Sequence, residues 1–202
     1  MPAGRPGRHV AADAGAGGGA GAKADVDADA ELRRRVGALV RDVVGFPQPD
    51  VTFKDITPVL ADGAAFADAV AWLAAPFEGR TDTVAAIEAR GFILGSPVAY
   101  ALGTGLVPVR KLGKLPAATM AEAYMLEYGE ATLEMHLDAV KPGDRVLIVD
   151  DVIATGGTLV ATASVLRRAG ADVVGVAALL ELLALGGRQR LGGLDLHVLL
   201  SV

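Results

Sequence analysis

Two runs of this sequence, VLIVDD at 146–151 and DVVGVAALLEL at 172–182, are apolar residue after residue rather than at every second residue. A strand that turns one face to water alternates, whereas a strand with apolar side chains on both faces must be covered on both. TVAAI at 83–87, LVPVR at 106–110 and DLHVLLSV at 195–202 share this character. Between them lie segments with helical spacing, FILGSPVAYAL (92–102), with Pro97 expected in its first turns, and GGTLVATASVLRRAG (156–170), closed by Gly170. Repeated strand–helix–strand units predict an α/β fold: a central, mostly parallel twisted sheet with helices on both faces. Ligands bind such sheets beyond the carboxyl ends of the strands, which here means after Ile87, Val109 and Val149.

Residues 1–28 are rich in Gly and Ala and hold almost no large apolar side chain, so a disordered tail is expected there and one folded domain over 29–202. GAGGGA at 15–20 fits a relaxed dinucleotide-binding pattern, but no strand precedes it. Leu32, Val36, Leu39, Val40 and Val43 follow helical spacing, which predicts an amphipathic helix over ADAELRRRVGALVRDVV (28–44). Three prolines punctuate FPQPDVTFKDITP (46–58), a shaped loop by its chemistry. A second helix is expected at about 62–75, with Phe66, Val70 and Leu73 inward and Trp72 as a packing residue. After LVPVR a long loop to about 122 is expected, then two short strands around a Tyr-Gly-Glu turn in YMLEYGEATLEMH (124–136).

Composition narrows the chemistry. A net charge of -5 argues against a general nucleic-acid surface. The chain has no cysteine, and His9, His136 and His197 lie far apart with no HxxxH pair, so neither a disulfide framework nor a zinc site is expected. No apolar leader is apparent at the N-terminus, and the longest apolar stretch is interrupted by Glu181, so a cytoplasmic protein without a membrane partner is expected.

Asp150 and Asp151 end the most apolar strand, and Val152-Ile153-Ala154-Thr155-Gly156-Gly157-Thr158 then leads into a helix. Small residues let backbone N–H groups approach an anion, and a helix N-terminus favours negative charge. Thr155 and Thr158 add hydroxyl donors. The Walker pattern GxxxxGK[ST] is absent from the chain. Carboxylates repel phosphate, so the two aspartates must face another part of the same ligand, either ribose hydroxyls or Mg²⁺. A ribose 5-phosphate satisfies both halves. Between Val107 and Leu115, Arg110, Lys111 and Lys114 occur with no acid, a cationic patch at a strand end which, with Arg90, suits pyrophosphate.

VLIVDDVIATGGT resembles the thirteen-residue ribose-phosphate signature of the type I phosphoribosyltransferases. Three further segments resemble the adenine phosphoribosyltransferases within that family: FPQPDVTFKDITP their purine-binding hood, IEARGFILGSPVA their pyrophosphate loop, and VPVRKLGKLPAATMAEAYMLEYG their basic strand end, mobile lid and LEYG segment. LLELLALGGRQRL continues the match, which runs in order from about residue 31 to 202. The resemblance implies transfer of a phosphoribosyl group from phosphoribosyl pyrophosphate to adenine, with Mg²⁺ held through substrate and water, in a homodimer. It implies that the backbone of Thr52 and Lys54 reads the base edge, that Phe53 offers a ring face, and that Glu127 and Tyr128 act from the lid, Glu127 towards the base proton. Ala154, Thr155, Gly156, Gly157 and Thr158 fall on the 5-phosphate loop, Asp150 and Asp151 on the ribose acids. Asp50, Lys54, Leu112 and the AEAY segment depart from the family pattern, which bears on hood geometry and lid rate. A transferase for another base (hypoxanthine, xanthine or orotate) and a non-catalytic ligand-sensing regulator remain the alternatives.

Overall fold

The computed structural model describes residues 18–125 and 130–202, with side chains left undescribed at 18–25, 125 and 130. In chain order the elements are α1 (Gly18–Leu39), β1 (Arg41–Val44), β2 (Thr52–Asp55), α2 (Thr57–Ala61), α3 (Gly63–Ala74), β3 (Thr83–Ile87), α4 (Arg90–Leu102), β4 (Gly105–Lys111), β5 (Thr119–Met125), β6 (Glu130–His136), β7 (Arg145–Ile153), α5 (Gly157–Arg168), β8 (Asp172–Glu181), α6 (Gly187–Arg190) and β9 (Leu196–Ser201).

Seven strands form one sheet in the order β5-β6-β4-β3-β7-β8-β9. The pairs β4–β3, β3–β7, β7–β8 and β8–β9 are parallel, and the β5–β6 hairpin joins the β4 edge antiparallel. The continuous apolar strands therefore lie where both faces are covered. On β7 alternate residues split between two cores: Val146 and Ile148 pack with α5 residues such as Leu159, Val165 and Leu166, while Leu147 and Val149 pack with Leu73, Leu94 and Val98 of α3 and α4. Burying each such side chain stabilises the fold by roughly 1.5–3 kcal/mol, and the four on β7 are completely buried. Trp72 packs as expected, its ring stacked 3.6 Å from His197 of β9.

Several elements depart from the sequence expectation. α1 is helical from Gly18, ahead of the expected start near 29, through a stretch that mixes the good helix former Ala with the poor ones Gly and Asp. It stops at Leu39, and Arg41–Val44 becomes strand β1 instead of the helix's last turn. There β-branched Val43 and Val44 pair with Phe53 and Thr52 of β2, and tertiary pairing overrides the helical spacing. The proline-rich segment is thus partly a two-stranded ribbon. α4 begins at Arg90, so Pro97 lies in its interior rather than its first turns. β5 starts at Thr119, inside the segment expected to be loop, because it finds a full partner in β6. The expected Tyr-Gly-Glu turn lies outside the described residues. Among those described, no helix is long and apolar enough to cross a membrane.

Candidate active site

The parallel strands end on one side of the sheet, and the side chains singled out from the sequence collect there. Asp150 and Asp151 lie near the carboxyl end of β7, which runs on through Val152 and Ile153, residues expected in the loop but paired here with β8. Both aspartates are almost fully buried, at 8% and 6% exposure. The Asp150 carboxylate accepts from the Asp151 N–H at 2.8 Å. Burial, reinforced by the Asp151 charge, pushes the Asp150 carboxyl well above the ordinary carboxylate range. Asp151 is paired with Arg90, whose Nε lies 2.6 Å from its Oδ2.

Arg90 is held there by the close seating of α4. A methyl group on Gly91 would lie 2.9 Å from Asp150 Oδ1, and one on Gly95 2.5 Å from Ala86 Cβ. Two glycines one turn apart thus let the first half of α4 lie directly on β3 and β7, a signal legible in RGFILG as a pair of small residues four apart.

The loop after β7 bounds a small cavity of about 120 Å³ lined by Asp150, Ala154, Thr155, Gly156 and Thr158. Gly156 adopts φ 80°, a left-handed conformation, and stands at the N-terminus of α5. No side chain caps that end and its first turn carries no acid, so its N–H groups face the cavity's side of the loop unclaimed by a capping side chain, the arrangement that suits a phosphate.

The cationic patch is acid-free along the sequence but not in space. Glu88, at the end of β3, accepts from Arg110 Nε at 2.8 Å and from the Lys111 N–H at 2.9 Å. Burial would raise the Glu88 carboxyl, but these donors outweigh it and hold it below its ordinary value. Arg110 also donates to the Lys114 carbonyl at 3.0 Å. Glu134 of β6 is buried and accepts from the Lys114 and Leu115 N–H groups and from the Thr119 hydroxyl at 2.9–3.0 Å. Arg110 is therefore committed to shaping the turn, whereas the Lys111 and Lys114 residues are exposed. Glu88 and Glu134 were not singled out from the sequence: nothing local in it links Glu134 to a turn twenty residues earlier.

The hood is the β1–β2 ribbon. Its base is locked where Asp55 accepts from the Thr57 N–H, from Arg41 and from the Thr57 hydroxyl, which hold the Asp55 carboxyl down to about 2. The Gly45 N–H donates to Val51 O at 2.8 Å, and this fixes which residues of β2 bond across the ribbon. By antiparallel alternation the N–H and C=O groups of Phe53 and Asp55 point to β1, and those of Thr52 and Lys54 to the open edge, while the Val51 N–H donates to the Gln48 carbonyl at 3.0 Å. A cavity of about 590 Å³ adjoins Val51, Thr52 and Lys54, with Leu182 and Leu185 among its other lining residues. Leu182 was not singled out from the sequence, where it reads as the end of an apolar strand. The Lys54 side chain is occupied by Asp42, at 2.7 and 2.8 Å. On the ribbon, the Phe53 ring meets Phe46 edge-to-face at 5.3 Å and carries the Arg90 guanidinium 4.9 Å from its centroid. Arg90 thus touches both the ribbon and Asp151. Glu127 and Tyr128 lie outside the described residues.

A parallel sheet with a paired-acid strand end, a small-residue anion loop and a hood defines a phosphoribosyltransferase, and residues 54–190 match the phosphoribosyl transferase domain, the family to which the chain belongs. Within it the relatives are narrower. The chain is 59% identical over 170 residues to the adenine phosphoribosyltransferase of Nocardioides sp. (strain ATCC BAA-499 / JS614), covering 82% of this chain and 92% of that one. It is 57% identical over 164 residues to that of Thermobifida fusca (strain YX), covering 81% and 93%. The crystal structure of adenine phosphoribosyltransferase from Rhodothermus marinus superposes with a TM-score of 0.82 at 51% identity, over 86% of this chain and 99% of that one. That of the Saccharomyces cerevisiae enzyme, complexed with an imino-altritol bisphosphate and adenine, does so with a TM-score of 0.80 at 31% identity, over 84% and 99%.

Proposed function

We infer that this chain transfers the 5-phosphoribosyl group of phosphoribosyl pyrophosphate to N9 of adenine, forming AMP and pyrophosphate in purine salvage. The observation that carries this reading is the join made by Arg90, one side chain that pairs with Asp151 and covers Phe53. It links the ribbon, beside which lies the larger cavity, to the aspartate pair, one of which lines the smaller cavity after β7. The names of the relatives favour adenine over the other bases.

In this reading the uncapped start of α5 holds the 5-phosphate, with N–H groups from Ala154 to Gly157 and hydroxyls from Thr155 and Thr158. Asp150 and Asp151 accept hydrogen bonds from the ribose hydroxyls, for which Arg90 leaves Asp151 and turns to the pyrophosphate. Lys111 and Lys114 add positive charge there, and Arg110 keeps their turn in shape through Glu88. The open-edge N–H and C=O groups of Thr52 and Lys54 read the adenine edge, beside the Phe53 ring. The bond from the ribose C1 to the pyrophosphate oxygen breaks with its electron pair on the oxygen, and the N9–C1 bond forms. The proton displaced from adenine passes to Glu127, and Tyr128 closes over the site with the lid. Closure of about 112–126 keeps water from the ribosyl centre.

Two buried carboxylates at one strand end, with no cluster of three metal-binding side chains among the described residues, suit a Mg²⁺ ion that keeps its waters and enters on substrate oxygens. When bound, that ion offsets charge on the leaving pyrophosphate.

The test is a base panel. Protein, Mg²⁺ and phosphoribosyl pyrophosphate are mixed with adenine, hypoxanthine, xanthine or orotate and followed by absorbance. Adenine should be consumed and the others left; faster use of any other base, or of none, overturns the reading. We further propose a cytoplasmic homodimer whose domain starts near residue 29. Ile93 and Tyr100, seven apart on α4, and Leu106 and Leu112 near β4 are exposed apolar residues that a partner copy would cover. Light scattering at twice the chain mass would support the dimer, and a monomer would remove it.

A further inference from the structure

Behind the phosphate loop lies a second layer with no part in the assignments above. β8 ends at Glu181, beside Ile153 of β7 and Ser201 of β9. Glu181 is 2% exposed, yet it is a carboxylate. Arg188 of α6 grips it with two nitrogens, Nε at 2.9 Å from one oxygen and a terminal nitrogen at 2.6 Å from the other, and the Ser201 hydroxyl lies 3.3 Å away. Arg188 is half exposed while Glu181 is buried. Such a pair contributes little net stability compared with apolar packing, so what it secures here is the placement of the segment that carries the arginine.

That segment begins with Gly187. A methyl group on Gly187 would overlap the Ala154 carbonyl oxygen and come within 3.0 Å of the Gly156 nitrogen and 2.9 Å of Ile153 Cγ2. Conversely, one on Gly156 would lie 2.8 Å from the Gly187 carbonyl oxygen. The backbones at Gly187 and at Ala154–Gly156 are therefore in direct contact, and the phosphate loop rests on α6 as on a wall. Any shift of α6 passes straight into the loop.

We propose that Arg188 is a positioning residue: through its two-pronged bond to Glu181 it seats Gly187 against Ala154 and Gly156 and so sets the grip on the 5-phosphate. This rests on the phosphoribosyl reading of the site and adds to it a support built from the other end of the domain. Arg188 does not touch the substrate in this assignment. Its closest backbone consequence is at the phosphate end. Leu182, Ala184 and Leu185, between the two partners, also line the cavity beside the ribbon, so a smaller effect is expected there.

The experiment is steady-state kinetics with both substrates varied, on Arg188→Met, Arg188→Lys and Gly187→Ala, with calorimetric binding of ribose 5-phosphate alongside. Arg188→Met should raise KM for phosphoribosyl pyrophosphate about tenfold and weaken ribose 5-phosphate binding to match, with a clearly smaller rise in KM for adenine. Arg188→Lys should recover part of the loss, because it keeps the charge without the fork. Gly187→Ala should do at least as much damage as Arg188→Met with the ion pair intact. If Arg188→Met shows no cooperative thermal transition, the Lys and Ala variants carry the test. Equal rises in both KM values, or no change in either, would overturn the proposal. An unmodified protein that is inert towards adenine would instead sink the functional reading, and the ribose 5-phosphate affinities would still judge the wall.

Discussion

In the proposed assignment the phosphate end of the site is a single run of sequence, Asp150 to Thr158, whereas the base end is gathered from places far apart: the ribbon ending at Asp55, Arg90 at the start of α4 and Leu182 beyond β8. At the phosphate end both aspartates are buried and the backbone is fixed by the sheet beneath it. At the base end the reading groups are main-chain atoms on the open edge of a two-stranded ribbon, and the ribbon's own side chains are largely tied up with one another. Contiguity makes the first end sensitive to single substitutions. Dispersal and main-chain readout make the second tolerant of them.

The sharpest way to break that contrast is at Asp151. Asp151→Asn keeps the size and removes the charge that faces the ribose and Arg90. Turnover should fall about 10²-fold, the scale of losing one preorganised electrostatic contact to a transition state, with a thermal transition still present. Near-normal turnover would remove the ribose assignment and with it the claim that this end is the stringent one. At the base end, Phe53→Ala should raise KM for adenine roughly three- to tenfold, the range of one aromatic contact, with KM for phosphoribosyl pyrophosphate little changed. A loss as large as that of Asp151→Asn would make the two ends equal.

The same asymmetry governs what could be read before any coordinates. The five parallel strands were legible because burial on both faces leaves a continuous apolar run, and the phosphate loop was legible because all its parts are neighbours in the chain. β1 was not, since Val43 continues the helical spacing of α1 and only its partner strand, ten residues away, turns it extended. The surroundings of Arg110 were not legible for a similar reason: the acids that occupy its turn, Glu88 and Glu134, arrive from β3 and β6 through tertiary pairing. Leu182 and the Gly187–Gly156 contact depend on how the end of β8 folds back on the loop after β7, which no local pattern encodes. Glu127 and Tyr128 stay where the sequence left them, as lid residues assigned by resemblance.

Stability offers a subtler probe of the phosphate end. The Asp150 carboxyl is raised by burial and by the neighbouring Asp151. A carboxyl whose folded value lies above its unfolded one contributes stability that is complete below about pH 4 and is lost as pH rises through the folded value. Asp150→Asn mimics the protonated form and can still accept from the Asp151 N–H. It should therefore raise Tm at pH 8 by about 2–4 °C for each kcal/mol recovered, and the gain should shrink towards pH 4. A Tm that falls at pH 8 would show that ionised Asp150 is not strained, and the phosphate end would lose its character as a site held at a cost in stability.

The smallest effect is expected at Lys54, where this chain departs from the family's arginine. Its ammonium group is held by Asp42 in a partly exposed pair, worth about 0–1 kcal/mol, and the cross-ribbon bonding leaves its main-chain groups at the open edge. Lys54→Arg keeps the charge and the pair, so kcat/KM for adenine should change by less than about twofold, well under the tenfold that 1.4 kcal/mol represents. If arginine instead improved adenine use severalfold, the side chain would be reading the base directly. The main-chain account of the hood would then fail, and so would the reason given for its tolerance, because the base end would depend on individual side chains just as the phosphate end depends on its aspartates.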